Sequence, residues 1–165
     1  MFEPPEFDPN RKARLVAIEF DAASIRRGNP NVDHERDVAV FDILEGNSFV
    51  VDGRDDGPYK LTLSIVEDRL VFAVAQADSE ETFSFVLSLT PLRRVMKDYF
   101  IVCESYYEAI RTAPPSRIQS IDMSRRALHD EGSQVLAERL KGKVTVDRDT
   151  SRRLFTLICA LHWKG

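Results

Sequence analysis

The sequence predicts an α+β protein in which an antiparallel sheet of three to five strands packs against about five helices, with the C-terminal half mostly helical. Three observations carry this. Tyr59-Lys60-Leu61-Thr62-Leu63-Ser64-Ile65 alternates apolar and polar residues, the period of a half-buried strand. Leu92, Val95, Met96, Tyr99, Val102, Cys103, Tyr106 and Ile110 recur at three- and four-residue steps, the period of an amphipathic helix. The segments run strand, helix, three strands, then helices, without the regular alternation of a wound parallel sheet.

Residues 1–12 hold three of the eight prolines among scattered acids and read as a mobile tail, with Phe2 and Phe7 available to dock. Residues 13–165 are long enough for a single globular domain. Arg14 to Phe20 is rich in β-branched and apolar residues, which predicts a strand. One turn follows, then the breaker Gly28-Asn29-Pro30. A helix is expected over 31–45: Asn31 is placed to cap it, Asp33 and Glu35 load its first turn with favourable charge, and Gly46 stands just past its end. Val38, Phe41 and Leu44 share one of its faces.

The run Asp52 to Pro58 is a solvated loop. Beyond it the alternating strand 59–65, the turn Glu67-Asp68, a second strand from Arg69 to Gln76, the turn 77–80 and a third strand from Thr82 to Leu89 make a meander with one wet face. Thr90-Pro91 reads as an N-cap followed by proline at the first helical position. That helix ends near Thr112, before Pro114-Pro115. Ser116-Arg117-Ile118-Gln119 has the form of a capping box. It opens a helix to about His129, where Asp130-Glu131-Gly132-Ser133 is expected to bend the chain into a shorter helix ending at Gly142. Gly132 should take a positive φ or permit a close backbone approach. Lys143 to Val146 suggests a last strand, and Asp149 a cap for a final helix reaching Trp163, with Leu154, Phe155, Ile158 and Leu161 as its core edge.

Several chemistries fail on spacing. The seven glycines stand apart, so there is neither a dinucleotide fingerprint nor a phosphate loop. His34-Glu35 begins a zinc-protease pattern, but Val38 occupies the second ligand's position. Gly132-Ser133 lacks the flanks of a nucleophile elbow. Two cysteines, Cys103 and Cys159, are too few for a disulfide scaffold; both fall on apolar helix faces as small buried groups with inert thiols. His162, three residues after Cys159, is the one potential thiol partner. No metal and no cofactor is predicted. His34, Glu35, His129 and Glu131 form a candidate acid/base or metal site if the fold brings them together; otherwise they are a polar network at a bend and at helix ends.

The net charge of −4 conceals an asymmetry: residues 1–90 carry 9 Lys+Arg against 18 Asp+Glu, and residues 91–165 carry 14 against 9. Arginine outnumbers lysine 17 to 6. Arg93-Arg94 and Arg152-Arg153 fall at two helix openings, where positive charge opposes the macrodipole. Such an opening suits a phosphate or carboxylate, so Arg93, Arg94, Lys97, Arg152 and Arg153 are candidate anion contacts. The anion is either an internal carboxylate from the acidic half or an external one, such as RNA or a phosphorylated ligand.

Asn31-Val32-Asp33-His34-Glu35-Arg36, Leu89-Thr90-Pro91-Leu92-Arg93-Arg94, Lys97-Asp98-Tyr99-Phe100, Cys103 to Ile110 and Leu128-His129-Asp130-Glu131-Gly132-Ser133 together resemble uncharacterised protein family number 0262, over about residues 13–165. The resemblance implies a small single-domain alphaproteobacterial protein of the cytosol. It differs at the proline-rich start and at Asp130, where the family often has Asn. It supplies no activity and no catalytic residue. The chain has no run approaching the roughly 20 apolar residues of a membrane span, and its first residues lack a signal peptide's basic start, so a cytoplasmic protein without membrane contact is expected. Its leading function is a non-enzymatic binding or regulatory module with an anion-recognising basic face. The alternatives are a small enzyme using the His/Glu group, and a protein-interaction subunit, such as a homodimer, using Tyr107 and Trp163.

Overall fold

The computed structural model describes residues 12–162; the expected tail, apart from Lys12, and Trp163 lie outside them. The chain runs β1 (Leu15–Phe20), α1 (Pro30–Glu45), β2 (Phe49–Val51), β3 (Tyr59–Val66), β4 (Arg69–Gln76), β5 (Thr82–Ser88), α2 (Thr90–Thr112), α3 (Pro115–Leu140), β6 (Val144–Val146) and α4 (Arg148–His162). The α+β class holds, with two changes.

The main sheet is mixed rather than antiparallel. Its order is β1-β3-β4-β5, and β1 pairs parallel with β3, Ile18 opposite Leu61 and Phe20 opposite Leu63. The cause is α1: a chain that passes through a helix between two strands can return to the sheet in the same direction. The meander β3-β4-β5 is antiparallel as expected. Alternation decides its faces: Leu61, Leu63, Leu70, Phe72, Val74, Phe85 and Leu87 are buried, and Phe72 stacks on its cross-strand partner Phe85 at 4.9 Å. Each such side chain stabilises the fold by about 1.5–3 kcal/mol. The strand β2, absent from the expectation, pairs antiparallel with β6, Phe49 opposite Val146. Three residues are too few to display a period.

The second change is in the helices, four among the described residues rather than about five. No bend occurs at 130–133; α3 is continuous. The left-handed backbone position nearest to α3 is Gly142, φ 89°, just beyond its end. Gly132 is instead a packing glycine: a Cβ there would lie 2.7 Å from Cε2 of Phe155 and closer still to Cζ and Cε1. Its close approach is therefore to a ring carried by α4.

Helix caps differ from expectation by one or two residues. Asn29, not Asn31, caps α1, its side chain accepting from the Asn31 N–H at 2.9 Å, with Pro30 in the first turn. Asp147, not Asp149, caps α4 by accepting from Thr150 N–H at 2.8 Å. Leu89 rather than Thr90 precedes α2, and no capping box forms at Ser116, because α3 already starts at Pro115. The buried face of α1 is Arg36, Ala39 and Ile43, leaving Val38 and Phe41 exposed. The centre of the helical layer is α4, where Leu154, Phe155, Leu157, Ile158, Cys159 and Ala160 are all buried.

Asn47 fastens the edge strand β1. Its amide accepts from Leu15 N–H at 2.7 Å and donates to Leu15 C=O at 3.0 Å and Ile43 C=O at 2.9 Å. The side chain thus replaces a neighbouring strand on the side of β1 away from β3, and ties it to the end of α1.

Candidate functional site

Three helices enclose a cleft of about 770 Å³, within the range of small-molecule sites. Each contributes one row of side chains at helical spacing. From α1 come Glu35, Val38, Ala39 and Asp42, with His34 and Asn31 at its mouth; from α2, Tyr99, Phe100, Cys103 and Tyr107; from α4, Thr156, Cys159 and Ala160. Of these rows, the sequence marks only His34, Glu35, the two thiols and Tyr107 as candidates for chemistry or contact. Asp42, Tyr99 and Thr156 were missed, although their steps of three, four and seven residues from those partners are visible.

The cleft is apolar in its depth and acidic at its rim. Among the described residues no Lys or Arg lines it. Burial pushes the Tyr99 phenol up, with the neighbouring Cys103 adding to the effect. Burial also raises Cys103, against the opposing pull of Tyr99 and Arg125 and with a smaller contribution from Glu35, and burial followed by Glu35 raises Tyr107. Cys159 is raised by burial. Both thiols therefore stay protonated at neutral pH, which is unfavourable for a thiolate nucleophile. His162 Nδ1–H donates to Ile158 C=O at 2.8 Å, one turn back on the same helix.

His34 and Glu35 thus reach the cleft, whereas His129 and Glu131 do not line it. His129, on α3, stands behind the wall: its ring meets Tyr99 at 5.5 Å and Phe155 at 5.2 Å, both edge-on. The Thr156 hydroxyl spends its proton on Arg152 C=O, so His129 Nε2–H donates to Thr156 Oγ1 at 2.8 Å. Nδ1 is then buried without a hydrogen-bond partner among the described residues. Burial, then Arg152 and Arg125, lower the His129 pKa to about 4. Glu131 is exposed. Among the described residues no three His, Cys, Asp or Glu side chains converge as a metal site.

The His129 environment fixes a pH dependence. The unfolded imidazole takes a proton near 6.5 and the folded one near 4, so stability is complete above pH 6.5 and falls as pH drops from 6.5 to 4. The ring is only partly buried, and solvent screening cuts the full linkage value to about 1–2 kcal/mol. Asp37, Asp56 and Asp122 titrate below 3.8 and stay out of this window. Urea melts at pH 7 and 4.5 should show the loss in the wild type and not in His129→Phe; equal slopes in both would refute the assignment.

The arginine pairs are mostly engaged internally. Arg93 pairs with Asp68 of the β3–β4 turn, Arg152 pairs with Asp130 of α3, and Arg153 donates to Gly46 C=O at 2.7 Å. Arg94 and Lys97 are exposed and make no ion pair among the described residues. Arg125 lies over the Tyr106 ring at 4.9 Å. No helix among the described residues is long and apolar enough to cross a membrane.

Comparison with known proteins gives a consistent picture. The profile of the uncharacterised protein family UPF0262 matches residues 12–164. A UPF0262 protein of Methylobacterium radiotolerans is 60% identical over 152 residues, covering 92% of this chain and 94% of the relative. UPF0262 proteins of Brucella anthropi and Brucella canis are each 58% identical over 154 residues, covering 93% of this chain and 96% of the relative. No solved structure matches. With a profile spanning nearly all of its length and bacterial relatives at this identity, the chain belongs to the UPF0262 family.

Proposed function

We propose that the protein is a non-enzymatic binding module whose ligand is a small amphipathic molecule with an apolar or aromatic body and a cationic amine. One observation carries the reading: a cleft of about 770 Å³ whose depth is aromatic, aliphatic and thiol, whose rim bears Glu35 and Asp42, and which no Lys or Arg among the described residues lines. Aromatic faces and carboxylates together attract a cation, and the aromatic contact alone is worth about 0.5–2 kcal/mol. The protonated thiols and phenols offer no activated nucleophile, which supports binding over catalysis. The free Cys103 and Cys159 support a reducing, cytoplasmic setting. The anion contacts expected from sequence are retained in part, with Arg94 and Lys97 serving a separate role on the outer face of α2.

The test is a thermal-shift series with tryptamine and phenethylamine against indole-3-acetate and phenylacetate. The amines should raise the melting temperature by about 5–10 °C at a hundredfold excess over Kd, and the acids should not. Glu35→Gln with Asp42→Asn should weaken amine binding about tenfold, the loss of about 1.4 kcal/mol. Acids binding as well as amines, or no shift with either, would overturn the reading.

A further inference from the structure

The outward face of α2 carries a charge pattern that has no partner among the described residues. Arg94, Lys97, Ile101, Glu104 and Glu108 follow one another at steps of three and four residues, which places them within about 40° of a single line along the helix. All five are exposed, Ile101 by 53%, and none of the four charged members makes an ion pair among the described residues. The stripe is basic toward the N-terminus and acidic toward the C-terminus. Both ends therefore oppose the macrodipole of α2, and Glu104 and Glu108 also repel each other across one turn.

The same stripe is complementary to itself in reverse. Arg94 and Glu108 each lie seven residues from Ile101, about 10 Å along the axis. If two copies of α2 lie antiparallel about a twofold axis at Ile101, Arg94 meets the partner's Glu108 and Lys97 lies beside the partner's Glu104, twice over. Antiparallel alignment also sets the two macrodipoles in opposition. Next to Ile101, an open groove between α2 and α3 is floored by Val102, Ala127 and Leu128 and can receive the partner's Ile101. We infer that this face is a homodimer interface, α2 against α2′, in which the anions taken by Arg94 and Lys97 are the carboxylates of a second copy. This inference is independent of the cleft, whose residues Tyr99, Cys103 and Tyr107 lie on the opposite side of the same helix and stay open in the dimer.

An isologous contact of this kind makes a strong forecast for charge reversal. Sedimentation of the wild type in low salt, from about 1 to about 200 μM as a small polar interface requires, should show a monomer–dimer equilibrium that weakens as salt rises. Arg94→Glu with Lys97→Glu makes the stripe wholly acidic, and Glu104→Lys with Glu108→Lys makes it wholly basic. Each variant alone should be monomeric, with dimer affinity lowered at least tenfold, and an equimolar mixture should form the heterodimer. Ile101→Cys should give a disulfide-linked dimer on oxidation, whereas Thr82→Cys on the sheet edge should not. Melting curves check that each variant is folded. A monomeric wild type at the highest concentration, or a dimer indifferent to both reversals, would overturn the inference. So would a folded acidic variant that dimerises normally but loses binding to short RNA, an outcome that would assign Arg94 and Lys97 to nucleic acid.

Discussion

Gly132→Ala should lower the melting temperature by about 4–8 °C, although it replaces a helix-interior glycine by the best helix former. Ala at an unconstrained helical site stabilises by about 1 kcal/mol. Here the added methyl would fall well inside the roughly 3.5–4.0 Å of favourable carbon contact with three carbons of Phe155. The ring has nowhere to go: Phe155 is fully buried, with Tyr99 at 5.9 Å and His129 at 5.2 Å edge-on to it. Overpacking of this kind costs about 3 kcal/mol, at the upper end of its usual range. The net loss is about 2 kcal/mol, which for a chain of this length gives the stated shift. Because Tyr99 walls the cleft and His129 backs it, the same change should weaken ligand binding. Phe155→Leu in the Gly132→Ala background should recover part of the loss, a coupling visible in a double-mutant cycle. A melting temperature equal to or above that of the wild type would mean that propensity wins and the contact is soft.

Asn47→Ala should be as damaging, by removing hydrogen bonds instead of adding volume. Leu15 is 1% exposed, and both of its backbone polar groups are satisfied by the Asn47 amide. Without that amide, one N–H and one C=O of the edge strand must find water at a largely closed junction, while Ile43 C=O keeps the Gly46 N–H at 3.3 Å. At about 1–3 kcal/mol for each buried unpaired group, and with water relieving part of the cost, the loss should be about 2–4 kcal/mol. Asn47→Asp should not rescue it. The carboxylate can still accept from Leu15 N–H, but it sets charge against the Leu15 carbonyl, which needs a donor. The urea midpoint reports the global loss, and hydrogen exchange at the Leu15 amide reports the local one. A change below about 0.5 kcal/mol in Asn47→Ala would place the site among ordinary surface positions.

Local information determined the parts of this protein that local physics governs. Alternation at Tyr59 to Ile65 set the strand and its buried face; three- and four-residue steps from Leu92 to Ile110, stopped by Pro114, set α2 almost to the residue. Charge counts exposed the acidic first half and the unusual arginines at helix openings. The tertiary structure decided what depends on partners distant in the chain. The direction of β1 follows from which strand it pairs with, and β2 exists only because residues 144–146 arrive beside it. Gly132 reads in sequence as a break, since a glycine inside a helix usually weakens it; only the ring of Phe155, brought across by α4, makes glycine the residue that fits. The cleft has the same origin. Glu35 with Asp42, Tyr99 with Cys103 and Tyr107, and Thr156 with Cys159 are each a legible row on one helix. That the three rows face one space, with His129 left behind the wall and Arg152 held by Asp130, depends on how four helices pack, because packing is set by the shapes of surfaces that no single segment contains.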